Sequence, residues 1–102
     1  MNEFVKVAKA ADIGAGIMKG YLINDTKVLI ANVGGKYYAL EDKCSHLGAK
    51  LSAGMLLGNI VMCMAHSAQF DVTTGAPLTI EGKGPVRKFE VRVNGEDLEI
   101  RL

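Results

Sequence analysis

Uninterrupted apolar runs in this 102-residue chain span only a few residues. A bilayer crossing needs roughly 20, so no membrane-spanning helix is expected. The opening Met1-Asn2-Glu3-Phe4-Val5-Lys6 lacks the charged flank and long apolar core of a signal peptide. Helical periodicity never persists beyond a turn or two. A basic excess is missing too: 12 lysines and arginines face 11 acidic residues, for a net charge of +1. That balance argues against a nucleic-acid partner, and the scattered cations form no stripe for a membrane surface. There is no Ser-His-Asp set, no carboxylate pair and no phosphate-cradling loop, so no catalytic residue is expected. Cysteine and histidine are scarce as well, with two of each.

What the chain does contain is β patterning. Its length suits one small domain, for which a metal or disulfide staple would add stability. Glu3–Ala8 alternates apolar and charged residues, and Ile17–Ile23 reads as a strand ending in an Asn24-Asp25 turn. Lys27–Val33 is rich in β-branched residues, and Gly34-Gly35 turns it into Lys36–Leu40. Phe89–Val93 and Asp97–Leu102 flank a second hairpin signal, Asn94-Gly95-Glu96. Ala8–Asp12 and Ala49–Gly54 are candidates for short helical turns. The middle, rich in glycine, methionine and alanine, offers only short strands at Asn59–Cys63 and Gln69–Val72. We therefore expect one all-β domain over residues 1–102. Its β framework comprises residues 1–41 and 85–102, and a loop-rich insertion spans 42–84.

All four soft or nitrogen ligands fall between Cys44 and His66, as Cys44-x-His46, sixteen residues, then Cys63-x-x-His66. A tight loop can aim both members of each pair at one point, and thiolate with imidazole suits zinc or iron. Four arrangements compete. The residues could be ordinary buried cysteines and histidines, but their confinement to one window weighs against that. A structural zinc site usually pairs like with like on each element, whereas these pairs are mixed. A single nucleophilic cysteine with a histidine leaves the duplication unexplained. A 2Fe–2S cluster with two cysteines on one iron and two histidines on the other accounts for the mixed pairs, because each loop then serves both irons.

With these spacings the chain resembles the Rieske-type ferredoxins, specifically the low-potential ferredoxin components of ring-hydroxylating oxygenase systems. Further residues extend the likeness. Leu47-Gly48 follow His46, and Leu51-Ser52-Ala53-Gly54 matches a Leu-Ser-x-Gly step. Phe70-Asp71 leads to Thr74-Gly75, and Gly84-Pro85-Val86 precedes Phe89-Glu90-Val91. The chain departs from the family pattern at Cys63-Met64-Ala65-His66-Ser67. Proline and an aromatic residue are missing there, and Ser67 replaces the usual glycine. If that position needs a positive φ, Ser67 carries a small strain.

The resemblance implies an antiparallel β sandwich or barrel with an inserted cluster-binding subdomain. It implies one 2Fe–2S cluster held by Cys44, His46, Cys63 and His66. Two thiolates and two neutral imidazoles leave the core less negative than four thiolates would, which places the potential in the range of roughly −150 to +300 mV. High-potential relatives carry an extra cysteine in each loop, where Ala49 and Ala65 stand here, and hydroxyls where Ala68 and Phe70 stand. Their absence implies a low-potential member. The implied protein is a one-electron carrier, not an enzyme, acting as a cytoplasmic monomer. It would shuttle between a flavin-dependent reductase and a terminal oxygenase or similar enzyme, docking through an end formed by His46, Leu47, His66 and Pro85. The alternative is a Rieske-like small subunit of a larger redox enzyme such as nitrite reductase. Met55, Met62 and Met64 are expected as flexible packing near the cluster, Tyr37 and Tyr38 as core and rim, and Asp71 as a turn residue.

Overall fold

The computed structural model describes residues 3–44, 49–64, 67–79 and 84–102. Nine strands are described: β1 (Phe4–Lys9), β2 (Met18–Ile23), β3 (Thr26–Val33), β4 (Lys36–Glu41), β5 (Met55–Leu57), β6 (Ile60–Met62), β7 (Gln69–Asp71), β8 (Lys88–Asn94) and β9 (Asp97–Arg101). Single turns of 3-10 helix occupy Ala10–Asp12 and Leu51–Ala53. The strands form a six-stranded sheet in the order β1-β9-β8-β4-β3-β2 and a three-stranded sheet in the order β5-β6-β7. Every pairing is antiparallel.

Alternation decides what each strand buries. In β3 the run Val28-Leu29-Ile30-Ala31 is buried on both faces, so this strand divides two cores. Val28 and Ile30 join Ala39, Phe89, Leu98 and Ile100 on one side. Leu29 and Ala31 join Leu40, Leu51, Val61, Phe70 and both cysteines on the other. A continuous apolar run in β3 is what burial on both faces requires. Two-residue turns set the registers. Asn24 and Asp25 both take positive φ, with Ile23 opposite Thr26, the backbone of a type I′ hairpin. Gly34-Gly35 does the same between Val33 and Lys36.

The β1-β9-β8 part of the six-stranded sheet carries ion pairs. Arg92 meets Glu99 at 2.7 Å, Arg101 meets Glu90, and both guanidinium groups stack over the Phe4 ring. Exposed pairs of this kind contribute about 0–1 kcal/mol each. Tyr37 is half-buried, and its hydroxyl donates to the Ala10 carbonyl at 2.9 Å. It thereby ties β4 to the 3-10 turn after β1, in keeping with its expected place at the core and rim.

Two details differ from the sequence expectations. β5 was not expected, because Met55-Leu56-Leu57 shows no alternation; pairing with β6 makes it a strand. Met55 and Met64 are 45% and 64% exposed, so of the three methionines expected as packing only Met62 is half-buried. Met55 flanks Leu56, the half-buried middle residue of β5, and so points to the opposite face; Met64 lies beyond the end of β6.

Candidate metal centre

The two cysteines occupy equivalent positions in two loops. Cys44 follows β4, and its N–H donates to the carbonyl of Ala49 at 2.7 Å. Cys63 follows β6, and its N–H donates to the carbonyl of Ala68 at 2.8 Å. Each loop is thus closed by the same bond, from a cysteine to the carbonyl five residues on. A further bond in the second loop runs from the Ser67 N–H to the Cys63 carbonyl at 2.9 Å. Both cysteine side chains are fully buried in one apolar cluster, and no disulfide joins them.

His46 and His66 lie outside the described residues, as does Leu47. Among the described residues no three side chains of metal-binding type come together. The structure therefore brings Cys44 and Cys63 into one cluster, while the placement of the two histidines rests on their positions in sequence within the same loops.

The loops are braced from three sides. Gly54 follows the 3-10 turn at Leu51–Ala53 and packs so tightly that an added Cβ would lie 1.9 Å from the Met62 carbonyl oxygen. Gly75, at φ +83°, presses equally on Val86, whose N–H donates back to the Gly75 carbonyl at 2.8 Å. The Glu41 N–H donates to the Arg87 carbonyl at 2.8 Å. The Gly84-Pro85-Val86 segment is thereby strapped between the end of β4 and the Thr74-Gly75 turn, with Val86 buried and Pro85 exposed. Asp71 caps that turn, accepting from the Thr73 hydroxyl at 2.6 Å and the Thr73 N–H at 2.9 Å. The Thr73 hydroxyl is the main reason its carboxyl titrates below the usual range.

The third brace was missed by sequence reasoning. Asp42 is almost fully buried and accepts from Ser52, at 2.7 Å from its N–H and 2.5 Å from its hydroxyl. Ser52 belongs to the Leu-Ser-x-Gly step, which could have signalled a partner. Nothing in the sequence distinguishes Asp42 from the half-buried Glu41 beside it.

Ser67 has φ +57°, so the position does require the left-handed conformation that glycine takes most readily. That conformation costs an L-residue about 1–2 kcal/mol. The greater freedom of an unfolded glycine cancels roughly 0.5–1 kcal/mol of this. Ser67→Gly is therefore expected to stabilise the protein by about 0.5–1 kcal/mol, read as a rise in melting temperature. An unchanged or lower melting temperature would show that Ser67 offsets its strain through another contact.

Two buried thiols on matched loops, in a small antiparallel β domain, define the scaffold of an iron–sulfur electron carrier. The chain belongs to the Rieske [2Fe-2S] domain family, whose model matches residues 3–90. It is 34% identical over 97 residues to the ferredoxin component of biphenyl 2,3-dioxygenase from Rhodococcus jostii, covering 95% of this chain and 91% of that one. It is 41% identical over 81 residues to the 3-phenylpropionate/cinnamic acid dioxygenase ferredoxin subunit of Escherichia coli K12, covering 76% of each. Among solved structures, the carbazole 1,9a-dioxygenase ferredoxin of Nocardioides aromaticivorans superposes with a TM-score of 0.91 at 29% identity, covering 96% of both chains. A chain from a complex of reduced oxygenase and oxidised ferredoxin in carbazole 1,9a-dioxygenase gives 0.91 at 30% identity, covering 99% of this chain and 94% of that one.

The protein thus carries one 2Fe–2S cluster and is an electron carrier, not itself a catalyst. The residues present fit that group. Two thiols enclosed by apolar side chains can supply its thiolate half, and the hydrogen-bonded loop bases hold them in place. No helix among the described residues is long and apolar enough to cross a membrane.

Proposed function

We propose that this protein passes single electrons from a flavin-dependent reductase to a terminal oxygenase, acting as a monomer in the cytoplasm. The observation that carries the reading is the pair of buried cysteines on loops closed by the same bond, within a fold shared with dioxygenase ferredoxins over nearly its whole length. Cys44 and Cys63 would hold one iron, and His46 and His66 the other. Residues 42–84 act as the cluster-binding subdomain on a framework of 1–41 and 85–102. Electrons leave through the end formed by His46, Leu47, His66 and Pro85. The relatives are ferredoxin components, which favours a separate carrier over a small subunit of nitrite reductase. Thiols held without a disulfide suit a reducing compartment.

The test is reconstitution. Purified protein should be coloured and hold about two iron and two acid-labile sulfide per chain. A flavin reductase and an oxygenase component from a biphenyl dioxygenase system should turn over only when it is added. A colourless protein with one zinc, or one that oxidises substrate unaided, would overturn the proposal.

The potential should lie near the low end of the family range, roughly −150 mV. Ala68 stands directly across the loop closure from Cys63, and Phe70 is fully buried opposite Val61 in β6. Neither offers a hydroxyl. Ala68→Ser or Phe70→Tyr should raise the potential by supplying a donor, since hydrogen bonds to a cluster tune it. Voltammetry giving a wild-type value well above zero would contradict this expectation.

A further inference from the structure

Two polar side chains are buried among the described residues, Asn32 and Asp42. Asn32 is accounted for by the turn it serves: its amide donates to the Ile13 carbonyl and its oxygen accepts from the Gly35 N–H. Asp42 has no such local duty. It is 2% exposed, and no lysine or arginine among the described residues pairs with it. Its partners are the N–H and hydroxyl of Ser52, one on each oxygen. Both oxygens of the side chain are thus engaged by the one serine.

The surroundings are shaped to admit this pair. Gly20 in β2 lies against it, and a Cβ there would fall 2.5 Å from one Asp42 oxygen and 2.6 Å from the Ser52 hydroxyl. The Asp42 N–H donates to the Lys27 carbonyl at 2.8 Å. Residues from β2, β3, the end of β4 and the 3-10 turn at Leu51–Ala53 therefore meet at one buried anion. Two residues further on is Cys44, at most about 7 Å along the chain. The Asp42–Ser52 pair also lies just outside the Cys44–Ala49 closure, so it clamps both stems of the first loop. A buried charge interacts strongly with its neighbours because little water screens it.

We infer that Asp42 is a positioning residue for the cluster: held by Ser52, its carboxylate anchors both stems of the Cys44 loop and lowers the reduction potential. The inference rests on Cys44 being a ligand. An anion beside a group that gains an electron disfavours the reduced state. Ser52 donates to that anion and partly neutralises it.

The test compares Asp42→Asn with Ser52→Ala, reading the reduction potential at a single pH, the cluster content and the melting temperature of the cluster-free protein. Asp42→Asn removes the charge while keeping the shape, and should raise the potential. Ser52→Ala keeps the charge and strips its hydroxyl donor, and should lower the potential below wild type. A role in folding alone would lower the melting temperature of both without opposite potential shifts. An Asp42→Asn protein that holds its cluster at an unchanged or lower potential overturns the inference. If Asp42→Asn does not load, Ser52→Ala decides: a lower potential supports the inference, and an unchanged or higher one ends it. If neither variant loads, the anchor has no separate effect on potential and the inference fails. A Cys44→Ser protein that kept its cluster would instead sink the ligand assignment on which this rests.

Discussion

Replacing Cys44 or Cys63 by alanine is expected to give a colourless protein with almost no bound iron. Thiolates supply the only negative charge in the proposed ligand set, and an iron left with one thiolate and no replacement cannot complete its coordination. The structural consequence can be separated from the chemical one. Both side chains are buried in the apolar cluster with Leu29, Leu40, Val61 and Phe70, so alanine leaves a small cavity that costs on the order of 1 kcal/mol. Serine would bury a hydroxyl as well and cost more. At 4–8 °C per kcal/mol for a domain of about 100 residues, cluster-free Cys44→Ala should melt within roughly 8 °C of the cluster-free wild type. The loaded wild type should melt well above both, because a group that binds only the folded state stabilises it. Iron analysis, the visible spectrum and thermal melts of all three forms check this. A variant that keeps two irons and its colour would remove that cysteine from the ligand set.

Much of the fold around this centre was legible in the sequence because the local signals there are strong. Period-two alternation located β1, β8 and β9, and the β-branched run located β3. The pairs Asn24-Asp25 and Gly34-Gly35 marked turns whose positive φ values the structure contains. Cysteine and histidine spacing singled out the loops without any knowledge of their shape, and the serine-for-glycine departure at Ser67 pointed to a left-handed residue, which the structure contains. What stayed hidden depends on partners distant in sequence. β4 pairs with β8 through only Ala39–Phe89 and Leu40–Lys88, across the whole intervening insertion, and no local pattern encodes such a contact. β5 is a strand because β6 accepts it, and the exposure of Met55 follows from Leu56 facing the core. Asp42 carries no local mark of burial, since its partner Ser52 is ten residues away. His46 and His66 fall outside the described residues, so the imidazole half of the site rests on spacing and family membership.

Gly54→Ala is expected to be among the most damaging single-methyl additions in the chain. The backbone at this position, φ −89° and ψ −145°, is not the left-handed region, so any cost comes from space. The added Cβ would lie 1.9 Å from the Met62 carbonyl oxygen and 3.2 Å from that of Leu51. Neither atom belongs to a flexible side chain, so the backbone itself must move by more than 1 Å to restore ordinary contact. Met62 is the last residue of β6, paired with Met55 of β5 and Gln69 of β7, and the next residue is Cys63. Displacing it breaks the β5–β6 ladder and shifts the stem of the second loop together. Overpacking usually costs about 1–3 kcal/mol, and a backbone clash beside a ligand loop should reach at least the top of that range. The expected result is a melting temperature lower by about 12 °C or more, with cluster content reduced in proportion to the misplaced Cys63. Gly14→Ala is the control, because a Cβ there meets nothing within 4 Å and its φ is not left-handed. It should melt within a few degrees of wild type and load fully. If Gly54→Ala behaves like Gly14→Ala, the approach of Gly54 to the Met62 carbonyl is looser than the structure has it, and the Cys63 loop does not depend on that brace.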